Sequence, residues 1–367
     1  MIRGSRNGPR RAARCGLRPS PIASWTTSRV ARVVLVLLGL ACSAMAFPRD
    51  CAALTVQRVV MIGFTVSDMD RSVAFYSDVL SFEKVADFQT SGPLYDHLQG
   101  VFGSRVRIVH MRLGDQIVEL TQYVAPPDGR PIPLPSRSND LWFEHMAIVV
   151  SDMDQAYAML QRHQVRQISP EPQTIPASNV PAAGIRAIKF RDPDNHDLEL
   201  LWFPPDKGAA SWHQAGNRLF LGIDHTAITV GDTAASLAFY HDQLGMTAAG
   251  GSLNIGPTQD YLDSVFAARV RVTAMVPANA PPHVEFLQYE TPPGGRPMPP
   301  DTQANDLWHW QTTLLVDDVQ AATDTLRAAG VRFVSPDVTT ISETALGFSR
   351  AVMVRDPDGH AMRLVQR

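Results

Sequence analysis

The segment 55–204 of this chain is written a second time over 219–367, and each copy is itself doubled. Asn139-Asp140-Leu141-Trp142 returns as Asn305-Asp306-Leu307-Trp308. Pro126-Pro127-Asp128-Gly129-Arg130-Pro131 returns as Pro292-Pro293-Gly294-Gly295-Arg296-Pro297, and Ala74-Phe75-Tyr76 as Ala238-Phe239-Tyr240. Self-similarity of this kind marks repeats of one structural unit. The fainter inner repeat aligns Val66-Ser67-Asp68 with Val150-Ser151-Asp152, Val230-Gly231-Asp232 and Val316-Asp317-Asp318. Each of these follows an alternating apolar run and precedes a helical pattern. Asp68 can cap a helix with Val73, Tyr76 and Leu80 inward, and Asp232 one that Gly245 ends. Asp192-Pro193-Asp194-Asn195 and Asp356-Pro357-Asp358-Gly359 are turn sequences before a short apolar strand. Four modules result, at 55–125, 141–204, 219–290 and 306–367, with 205–218 as a linker. Each reads as a strand, a helix and several antiparallel strands.

A histidine and a glutamate recur through this pattern. His145 and His225 each precede the capping aspartate by seven residues, and Met61 and Gln311 stand at the same offset in the outer modules. Glu119, Glu199 and Glu285 lie inside apolar strands, and Arg363 takes that place in the fourth. A carboxylate among Leu, Val and Phe is costly to bury without a cation or strong donors. One such glutamate reads as a solvated strand residue, but recurrence at one strand position in three modules does not. Two histidines and two carboxylates converging on one point would hold a divalent metal. With no sulfur offered, the donors suit Zn, Ni, Co, Fe or Mn. The other histidines gain no role here. His196 and His360 sit in turns, and His163 and His241 near helical surfaces. His97, His110 and His213 have no repeated partner, and His283 reads as a strand-end surface residue.

The N-terminus has a different character. Residues 1–46 hold eight arginines and no acid, followed within that span by the apolar run Val33 to Leu40 and the small-x-small site Ala44-Met45-Ala46. This reads as an export signal cut after Ala46, with a periplasmic or secreted mature chain. The apolar run is short for a membrane span, so no stable span is expected after cleavage. Removing those eight arginines from the 33 basic residues leaves 25 against 36 acidic ones. An acidic body argues against nucleic acid as partner. Cys15 and Cys42 fall in the leader, leaving Cys51 unable to form an internal disulfide.

The motifs Glu144-His145-Met146-Ala147-Ile148-Val149-Val150-Ser151-Asp152 and Asp224-His225-Thr226-Ala227-Ile228-Thr229-Val230-Gly231-Asp232 resemble the vicinal oxygen chelate superfamily. So do the Phe-Tyr helix centres and the Asp-Pro-Asp turns before Glu199 and Arg363. That superfamily includes glyoxalase I, extradiol dioxygenases and bleomycin-resistance proteins. The resemblance implies an α+β fold of four βαβββ modules, paired into two funnel-like curved sheets, in a monomer of fused pseudo-dimer halves. It places metal ligands on the first and last strands of each module.

Two pairings are open. Sequential pairing gives one funnel with Met61, Glu119, His145 and Glu199, and another with His225, Glu285, Gln311 and Arg363. Crosswise pairing unites His145, Glu199, His225 and Glu285 in one complete site. It collects Met61, Glu119, Gln311 and Arg363 in a degenerate one, where Arg363 can pair with Glu119. The crosswise arrangement is preferred, because sequential pairing sets a metal beside an arginine. The resemblance then implies a metal-dependent lyase or isomerase acting on a small oxygenated substrate, with Glu199 as base. Two alternatives are a ring-cleaving dioxygenase using His145, His225 and Glu199, and a non-catalytic binding protein whose degenerate funnel holds an anion on Arg363.

Overall fold

Each expected helix start carries an aspartate cap. Asp68, Asp152, Asp232 and Asp318 adopt extended backbone and accept hydrogen bonds from N–H groups two or three residues on. These bonds satisfy donors that a helix leaves free in its first turn. The computed structural model describes residues 54–293 and 295–367, so the expected leader, its expected cleavage site and Cys51 lie outside the described residues. No described helix is long and apolar enough to cross a membrane.

The first module runs β1 (Arg58–Thr65), α1 (Met69–Asp78), β2 (Glu83–Ser91), α2 (Pro93–Gln99), β3 (Arg105–Leu113) and β4 (Gln116–Ala125). The second runs β5 (Glu144–Val150), α3 (Met153–Arg162), two short strands β6 (Arg166–Gln167) and β7 (Gln173–Thr174), then β8 (Arg186–Arg191) and β9 (Asp197–Trp202). The third runs β10 (Phe220–Thr229), α4 (Thr233–Leu237) continued by a π-helical turn (Ala238–Gln243), β11 (Thr247–Ile255), α5 (Pro257–Asp263), β12 (Arg269–Val276) and β13 (His283–Thr291). The fourth runs β14 (Trp310–Leu315), α6 (Val319–Ala328), the short β15 (Arg332–Phe333) and β16 (Thr339–Thr340), then β17 (Arg350–Arg355) and β18 (Ala361–Gln366). Gly245 has φ +67° just beyond the third module's helix, as a left-handed C-cap requires.

The modules pair crosswise. One nine-stranded sheet has the order β15-β17-β18-β14-β1-β4-β3-β2, with β16 beside β17, and joins the first module to the fourth. The other has the order β11-β12-β13-β10-β5-β9-β8-β6, with β7 beside β8, and joins the third to the second. The seams are the antiparallel pairs β1–β14 and β10–β5. The sequence halves 55–204 and 219–367 therefore each contribute one module to each sheet. Phe64, Ile148, Ile228 and Leu314, one from each seam strand, lie in a single apolar cluster that also takes the inner faces of the helices. Full burial of such a side chain is worth about 1.5–3 kcal/mol.

The motifs that reveal the repeat hold the halves to each other. Arg130 donates to Asp306 through Nε and Nη2 at 2.8 and 2.7 Å and lies over the Trp308 ring. Arg296 does the same to Asp140 at 2.9 and 2.6 Å, over Trp142. The chain crosses so closely here that a Cβ on Gly129 would fall 1.9 Å from the Asn305 carbonyl oxygen. A Cβ on Gly295 would fall 1.6 Å from that of Asn139. The Asp-Pro-Asp turns are a second joint. The Asp192 carboxylate accepts from its own turn's N–H groups, from His196 Nδ1 at 2.8 Å and from Tyr76 of α1 at 3.3 Å. Asp356, His360 and Tyr240 repeat the arrangement. His196 and His360 thus sit in turns, but buried ones, where they order the joint.

Candidate metal centre

The seam between β5 and β10 brings the two histidines together. His145 stands opposite Ala227, and His225 opposite Ala147, so across the seam each histidine is paired with a small residue. Parallel neighbours supply the carboxylates: Glu199 lies beside Ala147, and Glu285 beside Ala227. His145 Nε2 is 3.2 Å from Glu199 Oε2. His225 Nε2 is 3.8 Å from that same oxygen and 3.5 Å from Glu285 Oε2. His145, Glu199 and His225 are almost wholly buried, at 2%, 5% and 5% exposure. The Glu285 side chain, at 22%, opens to solvent.

These groups fit a divalent cation. Donors bonded to one ion at about 2.0–2.2 Å stand roughly 3–4 Å from one another, which is the spacing of the His145–Glu199, His225–Glu199 and His225–Glu285 contacts. Donor atoms of His145, Glu199 and His225 lie within 4.8 Å of each other. Neither ring nitrogen of His145 makes a well-aligned hydrogen bond, although both are buried and Nε2 lies 3.2 Å from Glu199 Oε2. Asp224, in a register shift of β10, contacts His225 Nδ1 at 3.1 Å and accepts from Trp212 Nε1 at 2.8 Å. That contact turns His225 Nε2 toward the two glutamates, as a carboxylate behind a metal-binding imidazole does. Trp212 belongs to the linker 205–218, which thereby helps set the site.

Burial alone would push His225 down, but Glu285, Asp224 and Glu199 outweigh it and hold the imidazole up at about 9. Burial would raise Glu285, yet His225, His283 and His145 bring it to about 2. Glu199 is likewise lowered: burial opposes the shift, and His145, Lys189 and His225 overcome it. His145 is shifted down because burial outweighs the pull of Glu199. The protein thus balances its clustered carboxylates with a proton on His225, and a metal dication would replace that proton.

Three neighbours are not visible as a repeat. His283 is not a surface residue: its Nε2 is 3.4 Å from Glu285 Oε1 and its ring 5.2 Å from that of His225. Lys189 stands in register with Glu199 and pairs with Asp263 at 2.6 Å. Asp263 ends α5 and also accepts from Tyr289. The sequence signal for Lys189 and Asp263 was a charged residue in an apolar strand and an aspartate ending a short helix, each without a repeated counterpart.

A family model for the glyoxalase/bleomycin resistance protein/dioxygenase superfamily matches residues 58–200 and again 222–364. The chain belongs to that superfamily. A 2-epi-5-epi-valiolone epimerase from Actinomyces sp. is 31% identical over 163 residues, which is 43% of this chain and 85% of that protein. Among solved structures, glyoxalase I from Zea mays is similar with a TM-score of 0.54 at 15% identity, covering 84% of this chain and 92% of its own. A putative dioxygenase from Bacillus subtilis is similar with a TM-score of 0.53 at 13% identity, covering 86% of each chain. At such identities the two structures establish a shared fold.

In this superfamily member the other funnel is filled. Met61, Glu119, Gln311 and Arg363 converge at the β1–β14 seam, in the same register as the four residues of the first site. Arg363 Nη1 donates to Glu119 Oε1 at 2.8 Å, and both side chains are fully buried. Gln311 and His110 also contact the Glu119 carboxylate, at 2.9 and 3.2 Å. His110, to which the sequence assigned no role, is therefore part of this network. Burial pushes Glu119 up, but Arg363 and His110 hold it at about 2. Met61, Leu98, Tyr123, Leu346, Phe348 and Met353 pack into one apolar cluster here, and Phe348 covers the guanidinium. The Arg363 guanidinium is enclosed and paired with Glu119 through Nη1, while its buried Nη2 makes no hydrogen bond among the described residues. The arginine stands where Glu199 stands in the other funnel, and its fixed charge neutralises the buried Glu119 carboxylate.

Proposed function

We propose that this chain is a divalent-metal-dependent isomerase that moves a proton at a carbon beside the carbonyl of a small polyoxygenated substrate. His145, Glu199, His225 and Glu285 are its metal ligands, and Glu199 is the base. The observation that carries this reading is the buried convergence of His145, Glu199 and His225, whose donor atoms lie within 4.8 Å of one another with neither His145 nitrogen in an aligned hydrogen bond. A divalent metal held there would act as a Lewis acid on the substrate's oxygens. Glu199 accepts the proton from the carbon next to the carbonyl, the C–H electron pair becomes the carbon–carbon π bond of an enolate, and the carbonyl π pair moves onto oxygen. A proton delivered to the same carbon from the other face completes an epimerisation, with no net oxidation. Glu285, 3.5 Å from His225 Nε2 and open to solvent, is held ionised, so the proton comes from water reaching that side of the site. The epimerase relative supports this class of reaction and a cyclic polyhydroxy ketone as substrate. A second carboxylate beside His225 favours isomerisation over ring cleavage, because it leaves one position fewer for a catechol or oxygen.

The test is solvent exchange. The metal-loaded mature chain is incubated with 2-epi-5-epi-valiolone in D2O, and deuterium next to the ketone is followed by NMR. The parent protein incorporates deuterium, and Glu199→Gln slows this on the order of a hundredfold or more. Exchange that Glu199→Gln leaves untouched contradicts the assignment of the base.

A further inference from the structure

Beside the proposed metal site, the funnel wall holds a buried cation that helps keep Glu199 ionised and to which the proton chemistry assigns no contact with substrate. Lys189 on β8 is the direct antiparallel partner of Glu199 on β9, so the two side chains share one face of the sheet. Its ammonium donates to Asp263 Oδ1 at 2.6 Å, its one hydrogen bond among the described residues, and the side chain is 3% exposed. An ammonium has three N–H donors, so two make no hydrogen bond among the described residues, and the Phe143 ring, 5.4 Å from Nζ, faces the charge besides. Asp263 cannot absorb them, because its other oxygen already accepts from Tyr289 Oη and Gln259 Nε2, each at 2.6 Å. A buried charge with unused donors is costly.

Nothing in the architecture requires this arrangement, as the other funnel demonstrates. There Met353 takes the place of Lys189, paired in register with Arg363. Gln99 ends α2 where Asp263 ends α5, and Tyr123 follows Glu119 at the spacing by which Tyr289 follows Glu285. The funnel without metal ligands has no lysine, and the funnel with them keeps one fixed by an aspartate. The funnel mouths differ in the same sense. Phe348, which covers Arg363, stands two residues before Arg350 at the start of β17, and Gly184 stands two residues before Arg186 at the start of β8.

We propose that Lys189, braced by Asp263 and Tyr289, is an oxygen-recognition subsite that takes a substrate hydroxyl or ketone oxygen next to the reacting carbon. The proposal rests on the isomerase reading and adds to it the reason why the substrate must carry several oxygens. The free N–H groups of Lys189 donate to that oxygen, and Asp263 keeps the ammonium in place.

The experiment measures binding directly. Metal-loaded protein is titrated calorimetrically with 2-epi-5-epi-valiolone and with its deoxy analogue lacking the hydroxyl beside the ketone. The parent binds the hydroxylated ketone more tightly by on the order of tenfold to a hundredfold, the range for a hydrogen bond to a charged group. The double variant Lys189→Met/Asp263→Gln carries the pair the other funnel already accommodates. It loses the preference while still binding one metal ion per chain. Should it not fold, Lys189→Gln removes the charge, keeps an amide donor for Asp263, and is expected to lose the preference too. An undiminished preference in a metal-loaded, folded variant overturns the subsite and leaves the isomerase reading standing. A metal-loaded parent that binds neither ketone overturns that reading, and the subsite with it.

Discussion

His225 carries the electrostatic balance of the candidate site. Held up at about 9 by Glu285, Asp224 and Glu199 against its burial, it is protonated at neutral pH, and a metal must displace that proton. Apparent metal affinity should therefore rise about tenfold per pH unit up to about pH 9 and then level off, with one proton released per ion. Chelator competition across this range measures it, and an affinity flat between about pH 7 and about pH 8.5 contradicts the role of His225. His145, Glu199, His225 and Glu285 were legible in the sequence because each fills a place that the repeat marks four times. Asp224, His283, Lys189 and Asp263 were not. They reach the site from a register shift, a strand start, a neighbouring strand and a helix end, and their counterparts in the other funnel differ in chemistry. Only the folded sheet shows that Lys189 and Asp263 meet.

The elements show how one repeat can yield two unlike funnels. Helix caps and turns follow local sequence, so Asp68, Asp152, Asp232 and Asp318 could each be read as helix starts in advance. The Asn-Asp-Leu-Trp and Gly-Arg-Pro motifs were visible as repeats, but their joining of Arg130 to Asp306 and Arg296 to Asp140 was not. Long-range pairing of loops leaves no periodic trace. In the filled funnel the strands β4 and β18 are tied by Glu119 and Arg363, both fully buried. Arg363→Met should destabilise the protein by about 3 kcal/mol, at the low end for breaking a buried pair because His110 and Gln311 remain on the carboxylate. Adding Glu119→Gln should recover most of that loss, and activity per folded molecule should not change. Urea unfolding of the single and double variants measures this. A single variant within about 0.5 kcal/mol of the parent would rule out a load-sharing ion pair.

At the scale of the whole molecule, crosswise pairing decides what the chain can do. Sequential pairing of the same four modules would split the four donors between two funnels and set an arginine beside one of them. Strand order shows instead that the second and third modules share a sheet, which places every intact donor in one funnel and every departure in the other. The choice was left open by the linker lengths, and it follows in the fold from which edges the first strands of the modules present to each other. The proposed function stands or falls with a single metal bound between β5 and β10. Anomalous scattering from crystals of the metal-loaded protein tests it most directly. The expected result is one strong peak at about 2.0–2.2 Å from His145, Glu199, His225 and Glu285, with none beside Arg363. A peak in the funnel of Met61, Glu119, Gln311 and Arg363, or no peak at the β5–β10 seam under saturating metal, would contradict it.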